Sequence, residues 1–141
     1  MSHSVSTCPS CQTRNRVPDA AQGLPRCSQC QAPLPWIAKA TDDSWASVST
    51  SDKVVVLVDL WAPWCAPCRQ LAPHLEKLAT EKAGKLKIVK VNVDENQILS
   101  RRFNAQSIPL MVLLKGGKEV GRQVGAQPLA RLRAWVDPHL G

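Results

Sequence analysis

The spacing of apolar positions divides the chain near residue 35. Before that point the aliphatic residues show no periodicity, and the stretch holds four cysteines together with Pro9, Pro18, Gly23, Pro25, Pro33 and Pro35. A segment so poor in aliphatic side chains cannot offset the entropy of ordering with a core of its own. Beyond it, strand and helix patterns alternate. Residues 36–40 read as a short edge strand, with Thr41 or Asp42 as the N-cap of a short helix through Trp45 and Val48. Residues 54–60 are a continuous β-branched and aliphatic run, the pattern of a strand buried on both faces, and Asp59 interrupts it. Leu71, Leu75 and Leu78 fall at i, i+4 and i+7, marking one stripe of a helix to about Lys82, which Pro73 is placed to kink. Residues 86–93 predict a second buried strand, and residues 95–103 a helix with Ile98, Leu99 and Phe103 facing inward. Residues 109–114, the turn Lys115-Gly116-Gly117-Lys118 and residues 119–124 predict an antiparallel hairpin. Leu129, Leu132, Trp135 and Val136 give a last amphipathic helix, and Trp45 and Trp135 are expected in the core.

The element order is therefore β-α-β-α-β-α-β-β-α, a parallel pair joined by a helix and then a hairpin added to the same sheet. An α/β domain is expected over residues 36–141, with a mixed central sheet and helices on both faces. A small module over residues 1–35 precedes it. A chain of 141 residues has room for one principal core and a minor appendage. The first eleven residues are polar and contain no apolar run of signal-peptide length, which predicts a cytoplasmic protein. In that compartment six cysteines read as metal ligands or redox catalysts and not as a disulfide framework. The formal charge of +7 arises from scattered basic residues that are not interleaved with aromatics. This describes a solvated surface better than a nucleic-acid or membrane face.

Two cysteine arrangements carry chemistry. Trp64-Cys65-Ala66-Pro67-Cys68 follows a central strand and opens a long helix. The first sulfur of such a pair sits beside unpaired backbone N–H groups at the positive end of the helix dipole, which favours its thiolate. Cys65 is thus the expected nucleophile. Cys68, one helical turn on, is placed to resolve a mixed disulfide. A zinc knuckle or two inert buried thiols are the competing readings, although a knuckle does not usually open an amphipathic helix after a buried strand. The second arrangement is Cys8-x2-Cys11 and Cys27-x2-Cys30, separated by 15 residues, the spacing of a four-cysteine tetrahedral zinc site holding one ion per chain. Two local disulfides, or one redox-active pair, are the alternatives. Zinc would supply the folding energy that the segment's side chains lack. His74 has no Cys or His partners nearby in sequence and reads as a surface histidine, while His3 and His139 lie near the termini and carry no clear signal.

The segment Val58-Asp59-Leu60-Trp61-Ala62-Pro63-Trp64-Cys65-Ala66-Pro67-Cys68-Arg69 resembles the active-site segment of the thioredoxin family. The likeness extends to Leu71-Ala72-Pro73, to Val89-Lys90-Val91-Asn92-Val93-Asp94, to Ser107-Ile108-Pro109 and to Val124-Gly125-Ala126, so it covers about residues 36–141. The preceding cysteine pairs make the chain similar to the thioredoxin 2 branch, in which a zinc module is fused to the redox domain. The resemblance implies a thioredoxin fold and reduction of protein disulfides by dithiol-disulfide exchange. It implies no organic cofactor in this chain, with electrons supplied by an NADPH-dependent flavoprotein, thioredoxin reductase. It assigns Asp59 as a buried carboxylate beneath the site. A carboxylate in a Val/Leu strand is desolvated and titrates high, so it suits a proton acceptor for Cys68, with Lys90 on the neighbouring strand tuning its charge. A strand-end aspartate open to solvent is the plainer reading. The resemblance further implies a cis Ile108-Pro109 bond facing the cysteines, with the Ile108 backbone free to pair with an extended substrate; from sequence alone, Pro109 starts an edge strand. Trp61 is expected beneath the site, Trp64 beside it as an apolar contact, and Pro67 in support between the cysteines.

Two departures stand out. Ala66 replaces the glycine most common between these cysteines, and Leu110 follows Pro109 where the family usually has threonine, a change expected to remove a hydroxyl near the substrate face. An oxidase or isomerase is the alternative within the same chemistry. From another class, a zinc-dependent binding or chaperone module fits the charge but leaves Cys65 and Cys68 unexplained. The zinc module itself is compatible with positioning substrates, sensing oxidation or capping the domain.

Overall fold

The computed structural model describes residues 2–21, 23–51 and 53–140. In chain order its elements are β1 (His3–Thr7), β2 (Arg14–Pro18), β3 (Trp36–Lys39), α1 (Trp45–Ser49), β4 (Val55–Trp61), α2 (Ala66–Glu81), β5 (Leu86–Asn92), α3 (Gln97–Arg102), β6 (Leu110–Lys115), β7 (Lys118–Val124) and α4 (Leu129–Val136), closed by a 3-10 turn at Asp137–His139. The main sheet has the order β3-β5-β4-β6-β7. Strands β3, β5 and β4 run parallel, while β6 is antiparallel to β4 and β7 to β6.

The aliphatic run of β4 is continuous because both its faces are covered, and the period of two sends alternate residues to different cores. Val55 and Leu57, with Ile88, Met111 and Leu113, pack under Leu71, Leu75 and Leu78 of α2 and Leu132 and Val136 of α4. Val56, Val58 and Leu60, with Val89 and Val112, pack under Trp45, Val48, Leu99 and Phe103. Trp45 meets Phe103 edge to face at 5.3 Å. Trp135 is half-buried against the α2/α4 core, and its Nε1 lies 3.0 Å from where a Cβ would stand on Gly121, so only glycine leaves the ring its place.

Local expectations differ from the structure at α3 and at the start of α1. Ile98 is 67% exposed, so α3 turns only Leu99 inward, and Phe103 is buried as its C-cap. The helix is shorter than its apolar residues suggest, and Ile98 falls on its outer side. The capping of α1 is also different: Ser44 precedes it, and the Asp42 carboxylate accepts the first N–H groups of α3, from Leu99 at 2.9 Å and Ile98 at 3.3 Å. Asn96 cannot serve there because its side chain accepts the Asp42 N–H and donates to the Asn92 carbonyl.

The cysteine-rich segment contains strands that its polar sequence did not announce. β1 and β2 form an antiparallel hairpin, and β2 buries Asn15 and Val17 on one face. Val17, Cys8, Cys27 and Leu34 join the same core as Val56 and Val89, so the segment covers part of the sheet. Polar contacts hold it there. Ser6 Oγ donates to the Pro35 carbonyl at 2.7 Å, and Trp36 Nε1 to that of Pro18 at 3.4 Å. Lys87 of β5 is fully buried, donates to the carbonyls of Asp19 at 2.7 Å and Val48 at 2.5 Å, and lies 4.0 Å from the centre of the Trp36 ring. Burial pushes its ammonium down to about 8, against the opposing pull of Asp19. Among the described residues no helix is long and apolar enough to cross a membrane.

Candidate functional site

Cys65 is the N-cap of α2, held in extended backbone where the chain leaves β4. In that position its sulfur accepts the Cys68 N–H at 3.2 Å, one of the donors that a helix start leaves unpaired. Pro67 fits the first helical turn because no N–H is required of it there. Cys65 and Cys68 are joined by a disulfide and are almost wholly buried. Ala62 is buried with them, and Trp61, Val93 and Ile108 pack against the pair. Cys65 Sγ lies 3.8 Å from the carbonyl oxygen of Ile108, and the Ile108-Pro109 bond is cis. Trp64 stands at the surface, 67% exposed, with its Nε1 donating to Asp94 at 2.9 Å. Arg69 donates to the Pro63 carbonyl at 2.8 Å and ties the loop to the helix.

Beneath this loop, on the face covered by α2, Asp59 sits opposite Lys90 of β5 and Met111 of β6. Lys90 Nζ is 3.8 Å from Asp59 Oδ2 and 5.0 Å from the centre of the Trp61 ring. Oδ1 has no hydrogen-bond partner among the described residues. Desolvation raises the carboxyl to about 6, with Lys90 pulling the other way. A group in that range can both release and take up a proton near neutral pH.

The four remaining cysteines converge. All their sulfurs lie within 4.8 Å of one another, with Cys8 to Cys30 and Cys11 to Cys27 each at 3.5 Å. Each pair is built on the same turn: Cys8 N–H reaches Thr13 O and Gln12 N–H reaches Cys8 O, while Cys27 N–H reaches Ala32 O and Gln31 N–H reaches Cys27 O, all at 2.9 Å. Gln12 and Gln31 both take positive φ. The Cys11 backbone N–H leads in lowering Cys8, and the Cys30 backbone N–H leads in holding the Cys27 thiol down to about 6. These donors favour the thiolate, the ligating form, at Cys8 and Cys27, whereas at Cys30 the Ala32 backbone N–H is outweighed by the neighbouring sulfurs and burial, which push the thiol up to about 12. Bonds of about 2.3 Å from a tetrahedral zinc would separate the sulfurs by about 3.8 Å. The spacing and the soft four-sulfur donor set fit such an ion.

The residues singled out in sequence thus gather in three places: Cys65, Cys68, Trp61 and Ile108 at the head of α2, Asp59 with Lys90 below them, and the four N-terminal cysteines at one point. Pro109 is buried behind Ile108, and Pro67 is exposed at the start of α2. Leu110 departs from expectation. It is 2% exposed and pairs with Leu60 in the core, so its side chain does not reach the substrate face. The contacts made by Asp94, Lys87 and Asn15 had no sequence signal, because each depends on a partner distant in the chain.

A family model described as Thioredoxin matches residues 36–138. The chain belongs to the thioredoxin family. The thioredoxin of Bacillus subtilis is 49% identical over 104 residues, covering 74% of this chain and 98% of that protein. Haemophilus influenzae thioredoxin is 46% identical over 99 residues, 70% of this chain and 92% of its own length. Thioredoxin C-3 of Corynebacterium nephridii is 35% identical over 139 residues, covering 96% of this chain and 95% of its own. Among solved structures, a mutant thioredoxin from Halobacterium salinarum superposes with a TM-score of 0.70 at 31% identity, covering 76% of this chain and 93% of that one. The domain has the thioredoxin fold, the Cys65-Cys68 disulfide fits the family's active site, and the protein is a thioredoxin-type disulfide reductase.

Proposed function

We propose that the protein reduces protein disulfides in the cytoplasm through Cys65 and Cys68, with thioredoxin reductase and NADPH restoring the dithiol. The observation that carries this reading is the Cys68 N–H directed at Cys65 Sγ from the first turn of α2, which stabilises a thiolate at Cys65 and keeps Cys68 within reach of it. The Cys65 thiolate attacks one sulfur of a partner disulfide and expels the other as a thiolate. Cys68, losing its proton to Asp59, then attacks Cys65, releases the reduced partner and closes the Cys65-Cys68 disulfide. Lys90 tunes the charge of Asp59. Trp61 supports the site, Trp64 and Ile108 form the surface that receives an extended partner chain, and Pro109, buried behind Ile108, backs that surface. Insulin reduction driven by NADPH and thioredoxin reductase tests the function: turnover is expected from the wild-type protein, and its absence would refute this reading.

In the same proposal, Cys8, Cys11, Cys27 and Cys30 hold one structural zinc per chain, which places the protein in the thioredoxin 2 branch. The sulfur spacing and the amide donors aimed at the thiolates support this. Residues 1–35 then form the zinc module and residues 36–141 the thioredoxin domain.

A further inference from the structure

Asn15 is a buried amide that the redox chemistry does not use. It is 8% exposed on β2, among the apolar side chains that join the module to the sheet. Burying an amide is tolerated only where its donors and acceptor find partners, and those of Asn15 lie at the cysteine site. Its Nδ2 points to Cys27 Sγ at 3.6 Å and also donates to the Thr13 carbonyl at 3.0 Å. Its Oδ1 accepts the Ser28 N–H at 3.0 Å and the Ser28 hydroxyl at 3.2 Å. Ser28 lies inside the second cysteine pair, whereas β2 follows directly on the first. One side chain therefore spans both pairs, and it does so against a buried sulfur that also receives the Gln29 N–H at 3.4 Å.

We propose that Asn15 is a positioning residue of the metal site, holding Cys27 as a ligand through its Nδ2–H to sulfur bond and setting the second cysteine pair against the first through Ser28. The proposal rests on the reading of the four cysteines as a zinc site. A hydrogen bond to a ligating sulfur fixes its orientation and draws charge from it, as outer-shell donors do at metal sites. Groups of this outer shell typically change metal affinity by about 10- to 100-fold when removed.

The test uses the full-length protein loaded with zinc, or with cobalt(II) as a spectroscopic probe, in the wild type and in Asn15→Ala, Asn15→Asp and Ser28→Ala variants. Asn15→Asp retains an acceptor for Ser28 but has no donor for Cys27. Uptake of one zinc per chain reports that the cysteine module of each variant is folded, since the redox domain is expected to keep its activity without it. Both Asn15 variants are expected to lose zinc to a competing chelator about 10- to 100-fold faster than the wild type. Their sulfur-to-cobalt charge-transfer bands should move to lower energy, while Ser28→Ala stays close to wild type. Wild-type release and an unmoved band in Asn15→Asp would overturn the proposal, since the donor to Cys27 would then be without effect. A wild-type protein that takes up neither metal would overturn the zinc reading itself, and this proposal with it.

Discussion

Asp59 sets two requirements against each other. Its strand is aliphatic because both faces are covered, yet the proposed resolving step calls for a group that exchanges protons near neutrality. Burial raises its carboxyl from 3.8 to about 6. A carboxyl raised in the folded state favours folding fully below the unfolded value, and that contribution is lost as pH rises through the folded value. Between pH 4 and pH 7, ionising Asp59 therefore costs the fold about 3 kcal/mol. Asp59→Asn should be more stable than the parent by up to about this amount at pH 8, and the gain should vanish near pH 3.5. Urea denaturation at the two pH values measures the difference, and an equal effect at both would contradict the assignment. The same variant should resolve mixed disulfides more slowly near neutral pH. Asp59 was legible because a charge in a Val/Leu run is conspicuous. Leu110 was not, because its exposure depends on facing Leu60 across β4 and β6, a pairing absent from its own neighbourhood.

At the level of elements, what could be read was set by periodicity, and what could not was set by partners elsewhere in the chain. The central strands, α2 and the hairpin of β6 and β7 follow from their own residues, because each carries a run or stripe that fits one structure only. α3 does not. Its first N–H groups are satisfied by Asp42, more than fifty residues earlier, and its outward Ile98 has the same local pattern as a core position. The β1 and β2 hairpin was likewise illegible, since its buried face consists of Asn15 and Val17 and is completed by the sheet it covers. The cysteine pair at the head of α2 was legible for the opposite reason. Its chemistry needs only a strand end, a helix start and two intervening residues.

For the molecule as a whole, the question is how the module over residues 1–35 depends on the domain that follows. The family match begins at residue 36, and the Bacillus subtilis thioredoxin is matched over nearly all its length without the module. Residues 36–141 should therefore fold alone, reduce disulfides and bind no zinc. Removing the module also uncovers Trp36 and takes the Asp19 carbonyl from Lys87. A stability loss of about 2–4 kcal/mol is expected from re-exposed apolar surface and one lost buried hydrogen bond. Thermal denaturation, metal analysis and insulin reduction on the truncated chain check the three parts. Loss of all structure would place the module within the domain's own core, and retained zinc would break the four-cysteine assignment.

The central claim is that Cys65 attacks and Cys68 resolves. Cys68→Ser and Cys65→Ser variants incubated with an oxidised protein substrate, followed by non-reducing mass spectrometry of the adducts, test it most directly. The account predicts a stable mixed disulfide through Cys65 in the Cys68→Ser variant, because attack survives while release does not, and no adduct in the Cys65→Ser variant. An adduct through Cys68 in Cys65→Ser, or none in either variant, would contradict it.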